Sequence, residues 1–136
     1  MGANSRNKGA SFERTIGTFL DLELGISFKR NLEQSREAHH ADLIADDPSF
    51  PFVIECKRYA GGSFQPAWWA QVSRAAEVSG KIPCVIYKFD RQPIKVAVDW
   101  GAIGAMTGVD LNDDGLIYMD LPSFCFMSRE IMARRG

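Results

Sequence analysis

Ala41-Asp42-Leu43-Ile44-Ala45, then Asp46-Asp47-Pro48-Ser49, then Phe52-Val53-Ile54-Glu55-Cys56-Lys57: two β-like apolar runs around a strong turn cluster. This pattern predicts a hairpin. Side chains on a strand alternate faces. Glu55 and Lys57 therefore share one face, while Ile54 and Cys56 point the other way, into a core. Centring the hairpin between Pro48 and Ser49 sets Asp42 directly opposite Glu55. Cβ atoms of directly opposed residues lie roughly 4.5–5.5 Å apart. Two carboxylates that close repel unless a proton or a cation sits between them. A hard divalent cation such as Mg2+ suits oxygen ligands of this kind.

Spacing alone leaves two readings open. In one, Asp42 and Glu55 hold a metal ion that activates water for phosphodiester hydrolysis. Lys57 then orients that water or stabilises developing phosphorane charge. In the other, the hairpin faces solvent with a cross-strand charge cluster, since E-x-K is an ordinary strand pattern.

Outward from the hairpin, Phe12, Ile16, Phe19 and Leu20 predict an amphipathic helix over residues 8–24, with Gly25 at its stop. Residues 27–33 read as a strand. Residues 63–80 read as a second helix, with Pro66 in its first turn and Gly80 at its end. Residues 84–89 and 94–99 read as a further hairpin, and residues 117–121 as a short last strand. Phe124, Met127 and Ile131 then return to helical spacing. The expected fold is α/β, a mixed central sheet flanked by helices. Its consecutive strands pair antiparallel first, and the crossover helix then returns the chain to a parallel neighbour.

A chain of 136 residues, 46% hydrophobic and 24% charged, has room for one ordinary folded domain. No apolar run approaches the roughly 20 residues that span a bilayer. The N-terminal stretch has no apolar segment behind its charges, and Arg6 stands where a myristoylation signal needs Ser or Thr. Cys56, Cys84 and Cys125 are scattered without C-x-x-C, which fits a reducing, cytoplasmic setting and neither a disulfide framework nor a zinc site. The net charge of −1 disfavours a strongly basic nucleic-acid binder. The slight cationic excess of residues 1–95 is, however, offset by acids in residues 96–136, and if some acids of the first part serve a metal ion, the surface left around that site is more basic than the total suggests.

Asp42 followed by Glu55-Cys56-Lys57 resembles the D-(x)n-(D/E)-x-K core of the PD-(D/E)XK nuclease superfamily. Glu13, within Lys8-Gly9-Ala10-Ser11-Phe12-Glu13-Arg14, is similar to the first-helix acid of archaeal-type Holliday junction resolvases and their phage relatives. Arg30 to Arg36 is similar to their basic strand and loop. Gln71 resembles a glutamine of the helix that follows the E-x-K strand. Ala41 stands in place of the name-giving proline, which is not a ligand. The resemblance covers about residues 6–100 and leaves 101–136 as a C-terminal extension of a single nuclease domain.

What it implies is a restriction-endonuclease-like fold and a Mg2+-dependent endonuclease, with Mn2+ as a substitute, most like a Holliday junction resolvase. Asp42, Glu55 and the Cys56 carbonyl would be metal ligands, with Glu13 completing the set directly or through water. Lys57 would act as base or water-positioning group, and Gln71 would be a further site residue. Arg6, Lys8, Arg30, Ser35, Arg36 and Arg58 are the candidate DNA contacts. The partner would be a four-way junction and a second copy of the chain, with no membrane, in the host cytoplasm for a phage relative. The alternatives are a superfamily nuclease acting on ends, nicks or duplex, and a DNA-binding relative that has lost cleavage.

Three other features carry less. His39-His40 reads as a loop or DNA contact, since carboxylate Mg2+ sites rarely need imidazole. Of Trp68-Trp69, one ring is expected in the core and one near an interface. Asp110 to Gly115 begins like a calcium loop, but Leu121 stands where that loop needs its bidentate Glu, so it reads as an acidic turn.

Overall fold

The computed structural model describes residues 3–32, 41–107 and 115–135. Its elements are α1 (Ala3–Leu24), β1 (Phe28–Arg30), β2 (Leu43–Ala45), β3 (Phe52–Tyr59), α2 (Pro66–Ser79), β4 (Ile82–Phe89), β5 (Lys95–Asp99), α3 (Trp100–Thr107), β6 (Leu116–Met119) and α4 (Leu121–Arg135). One six-stranded sheet runs in chain order, β1 to β6. Every neighbouring pair is antiparallel except β3 and β4. The parallel joint is where α2 carries the chain across, as the crossover reading expects.

The sheet divides the core in two. Phe12, Ile16 and Leu20 of α1 pack with Ile54, Cys56, Cys84, Val96 and Phe124 on one face. Val53, Val85, Tyr87 and Ala97 meet Trp68, Val72 and Ala75 of α2 on the other. Trp68 is the core tryptophan of the pair, and Trp69 packs at its margin. Helix α2 ends as its sequence predicts: Gly80 adopts φ 70° and donates its N–H to the Ala76 carbonyl. A residue with a Cβ is strained in that left-handed region.

The hairpin register is the expected one. Leu43 pairs with Ile54, the ladder stops there with the Asp42 N–H donating to the Ile54 carbonyl at 3.0 Å, and the Asp42 carboxylate lies close enough to Glu55 to raise its pKa. Lys81, at the foot of β4, donates through Nζ to the Pro48 and Phe50 carbonyls and ties the turn to the parallel joint.

Three boundaries depart from expectation. The strands read over 27–33 and 41–45 keep only three residues each, β1 and β2, so the ladder ends beside Asp42. Strand β3 runs on to Tyr59, because β4 pairs with all eight of its residues. Helix α3 was not expected: Gly101 and Gly104 weaken its helical signal. It starts because the Asp99 carboxylate accepts the Gly101 N–H at 2.9 Å.

Candidate active site

Short β2 leaves the middle of β3 without a backbone partner on that side, and a side chain takes its place. Asp42 Oδ2 accepts the Cys56 N–H at 2.8 Å. In an extended strand a residue's N–H and C=O point to the same side. The Cys56 carbonyl is therefore directed to the same margin as the Asp42 carboxylate.

Glu55 points from β3 toward α2 and is fully buried, at 0% exposure. Neither of its carboxylate oxygens accepts from a donor, and the Asp42 carboxylate is close enough to share a proton with it. The nearest cation is Lys57, whose Nζ lies 3.9 Å from Glu55 Oε2, beyond hydrogen-bond reach. Burial, with Asp42 facing it, pushes the Glu55 carboxyl up to about 9. The solvent-facing reading of the hairpin is thus corrected: Glu55 lies beneath α2, out of water. A buried carboxylate without partners is costly and is resolved by a proton or a cation.

Lys57 is held from α2, its Nζ donating to Gln71 Oε1 at 3.0 Å. The sheet and the crossover helix thus converge on one ammonium group.

Glu13 of α1 reaches the margin from the other side of the sheet. Its Oε1 accepts from Arg30 Nε at 2.9 Å. Burial and the Asp42 charge raise the Glu13 pKa, against the lowering effect of Arg30. Arg30, a candidate phosphate contact, pairs with Glu13. Among the described residues no three His, Cys, Asp or Glu side chains form a ready-made metal cage. The donor set that fits a hard cation is Asp42 and the orphaned Glu55, with the Cys56 carbonyl at their margin.

Two more candidate DNA contacts are also engaged. Arg58 points away from Glu55, toward the α1 side, and its guanidinium meets Asp90 at 2.6 Å. Lys8 meets the same Asp90 oxygen at 3.3 Å. These two cations form a strap between α1 and the end of β4. The pairing was not legible, because Asp90 read only as a turn residue. Arg6 lies in α1, and its side chain is outside the described residues. Ser35, Arg36, His39 and His40 also lie outside them, as do 110–114 of the acidic turn.

An apolar cleft of about 740 Å3 opens beside β2, lined by Arg30, Ala41, Ile44, Val53, Val78 and Lys81 among others. None of Asp42, Glu55, Lys57 or Gln71 lines it. The candidate site residues stand at the end of the β2–β3 ladder instead.

Two acids opposed across a hairpin, with a lysine two residues beyond the second and the element order α-β-β-β-α-β, define a PD-(D/E)XK nuclease core. The family model described as "Phage putative PDDEXK endonuclease" matches residues 4–103. The chain belongs to that family. No curated protein matches the chain. Among solved structures it is similar to Archaeoglobus fulgidus Hjc, a Holliday junction resolvase from an archaeal hyperthermophile, at 16% identity and a TM-score of 0.57. The match covers 86% of this chain and 99% of that one. The shared architecture is the restriction-endonuclease-like α/β fold.

Proposed function

We propose that the protein is a divalent-metal-dependent DNA endonuclease that cuts four-way junctions by paired nicks. The observation that carries the metal-dependent reading is Glu55, a fully buried carboxylate with no donor to accept from, opposed to Asp42. Asp42, Glu55 and the Cys56 carbonyl would hold Mg2+ or Mn2+. When bound, such an ion polarises the phosphate and lowers the pKa of its water.

The chain's own groups do the rest. Gln71 fixes Lys57, which stands beside Glu55 to position the attacking water or stabilise charge on the phosphoryl oxygens. Arg30 holds Glu13 at the rim, where it would complete the ligand set through water.

The junction preference rests on the fold shared with Hjc and on charge. With net charge −1, the chain has few cations for gripping featureless duplex. Phosphate contacts dominate non-specific affinity. A shape that brings more phosphates to a small basic face is the better substrate. A two-fold dimer presents that face twice.

The test is cleavage of a four-way junction, the matching linear duplex and single-stranded DNA, with Mg2+, with Mn2+ and with chelator. The expected result is paired nicks near the branch, much faster than duplex cutting and absent with chelator. Equal rates on junction and duplex at moderate salt would remove the junction preference and leave the nuclease. Cleavage that survives chelation would remove the metal.

A further inference from the structure

Strand β3 runs two residues past Lys57 and ends at Tyr59. By strand alternation Tyr59 shares the face of Glu55 and Lys57. Two residues of strand span roughly 7 Å, about twice the roughly 3.4 Å rise per nucleotide of one DNA strand. The Tyr59 ring therefore stands within about two nucleotides of the group placed beside the scissile phosphate.

The ring is both exposed and pinned. Tyr59 is 45% exposed, yet one of its faces lies flat on Trp68, centroids 5.4 Å apart and planes 8° from parallel. Trp68 is only 7% exposed. It is wedged edge-on by Phe64 at 5.3 Å and backed by Tyr87 at 5.9 Å and Phe89 at 6.1 Å. A buried aromatic cluster thus fixes the plane of an exposed ring. No second ring packs on Tyr59 among the described residues. The chain that follows, Ala60-Gly61-Gly62, is exposed and carries nothing larger than a methyl group. A Cβ built on Gly61 would meet no atom within 4 Å. The approach to the ring is not crowded by its own loop.

We propose that Tyr59 is a stacking platform for an unpaired nucleobase next to the phosphate being cut. The proposal deepens the endonuclease reading above and rests on it. Charge argues for this occupant. Lys8, Arg30 and Arg58 are paired with acids, so three of the candidate phosphate contacts are already occupied. Base stacking on an aromatic ring adds affinity that tolerates any sequence. A base inside continuous duplex is not free to stack there, whereas one at a branch, flap or gap is. The platform therefore selects DNA with an unpaired nucleotide beside the cut.

The test compares wild type with Tyr59→Phe and Tyr59→Leu on a junction whose cut position has been mapped with wild type. Each junction carries either a normal nucleotide or an abasic one beside the cut, and the melting temperature and sedimentation of each variant are recorded. At subsaturating DNA, Tyr59→Leu is expected to slow cleavage by about 10-fold or more, the scale of removing one base stack. Tyr59→Phe keeps the rate. The abasic junction slows wild type by a similar factor and adds nothing in Tyr59→Leu. A leucine variant at wild-type rate overturns the proposal, as does one whose slowing relative to wild type is as large on abasic DNA as on intact DNA. A slowing that tracks dissociation of the protein into monomers makes the ring a contact between copies and also overturns it. Should Tyr59→Leu not fold, the abasic junction decides: cutting at the intact rate overturns the platform, and slowing that spares an abasic site placed elsewhere upholds it. Wild type that neither binds nor cuts DNA with any divalent cation overturns the endonuclease reading itself; intact cleavage by Tyr59→Leu overturns the platform alone.

Discussion

Asp42 Oδ2 stands in for a missing strand, accepting the Cys56 N–H at 2.8 Å where the β2–β3 ladder stops. The same carboxylate is both a structural acceptor and half of the acidic pair. The two duties are separable by mutation. Asn keeps an oxygen for the Cys56 N–H and loses the charge, while Ala loses both.

Asp42→Asn is therefore expected to melt near the wild-type temperature and to lose cleavage by at least about 100-fold, with DNA binding kept. Asp42→Ala loses cleavage equally and also about 1.5–3 kcal/mol of stability, the range for a hydrogen bond to a charged group. Glu55→Gln loses cleavage like Asp42→Asn. Rates with Mg2+ and thermal melts measure both quantities, and near-normal cutting by either charge-removing variant would sink the metal reading.

Lys57→Ala is expected to abolish cleavage while metal binding persists, because its ammonium lies 3.9 Å from Glu55 and is held by Gln71, outside the ligand pair. Lys57→Arg rescues poorly, since the guanidinium is bulkier and stays protonated. Gln71→Ala frees the lysine without removing it. Its expected signature is a fall in kcat of about 10-fold with KM little changed, since misplacement alone costs up to about 100-fold. A Gln71→Ala enzyme at full kcat would relieve Gln71 of any positioning role.

Metal-free protein should lose stability as pH rises. The folded Glu55 carboxyl is raised to about 9 from 4.5, mainly by burial, so the folded state holds a proton that the unfolded chain releases. Stability from this group is complete below about pH 4.5, declines above it, and is lost by about pH 9, with a slope of at most about 1.4 kcal/mol per pH unit for one proton. Glu55→Gln flattens that decline and melts higher than wild type at pH 8. Mg2+ raises the wild-type melting temperature at pH 8 by binding the folded state, and not that of Glu55→Gln. Denaturant melts across pH 5 to 9, with and without Mg2+, read both effects; a wild-type profile as flat as that of the variant would contradict them.

Arg58→Gln and Lys8→Gln should lower the melting temperature more than they lower DNA affinity. Both cations meet Asp90, and Arg58 lies on the sheet face opposite Lys57. Measuring binding against salt checks this. Removing a cation that neutralises one phosphate reduces the slope of log affinity against log salt by about one, and a drop of that size for Arg58→Gln would return it to the DNA surface.

The order of every element but α3, and the Leu43–Ile54 register of the acidic hairpin, were legible because period-two alternation and a Pro-containing turn leave little freedom. Local spacing and the family resemblance singled out Asp42, Glu55, Lys57 and Gln71, which the structure brings together. The partners of Arg30, Arg58 and Lys8 were not legible. Each is fixed by an acid 17 to 82 residues away, brought near only by sheet twist and by how α1 crosses it. Strand length was misjudged for a related reason. Residues 27–33 have β-like composition, but pairing length is set by the partner, and β2 offers three residues. Tyr59 gave no signal of its own, since its exposure depends on where β4 and α2 place Trp68.

The chain-order sheet has a consequence for the way the molecule is made. Asp42, Glu55 and Lys57 leave the ribosome before α2 and β4, the elements that close over β3. Until those arrive, the nascent hairpin stands open to water and Glu55 is an ordinary charged side chain. Docking of α2 and β4 is then the step that strips its water. Closure of the domain is thereby coupled to uptake of a proton, because the Glu55 carboxyl is raised to about 9 once buried and the metal-free folded chain holds that proton at neutral pH.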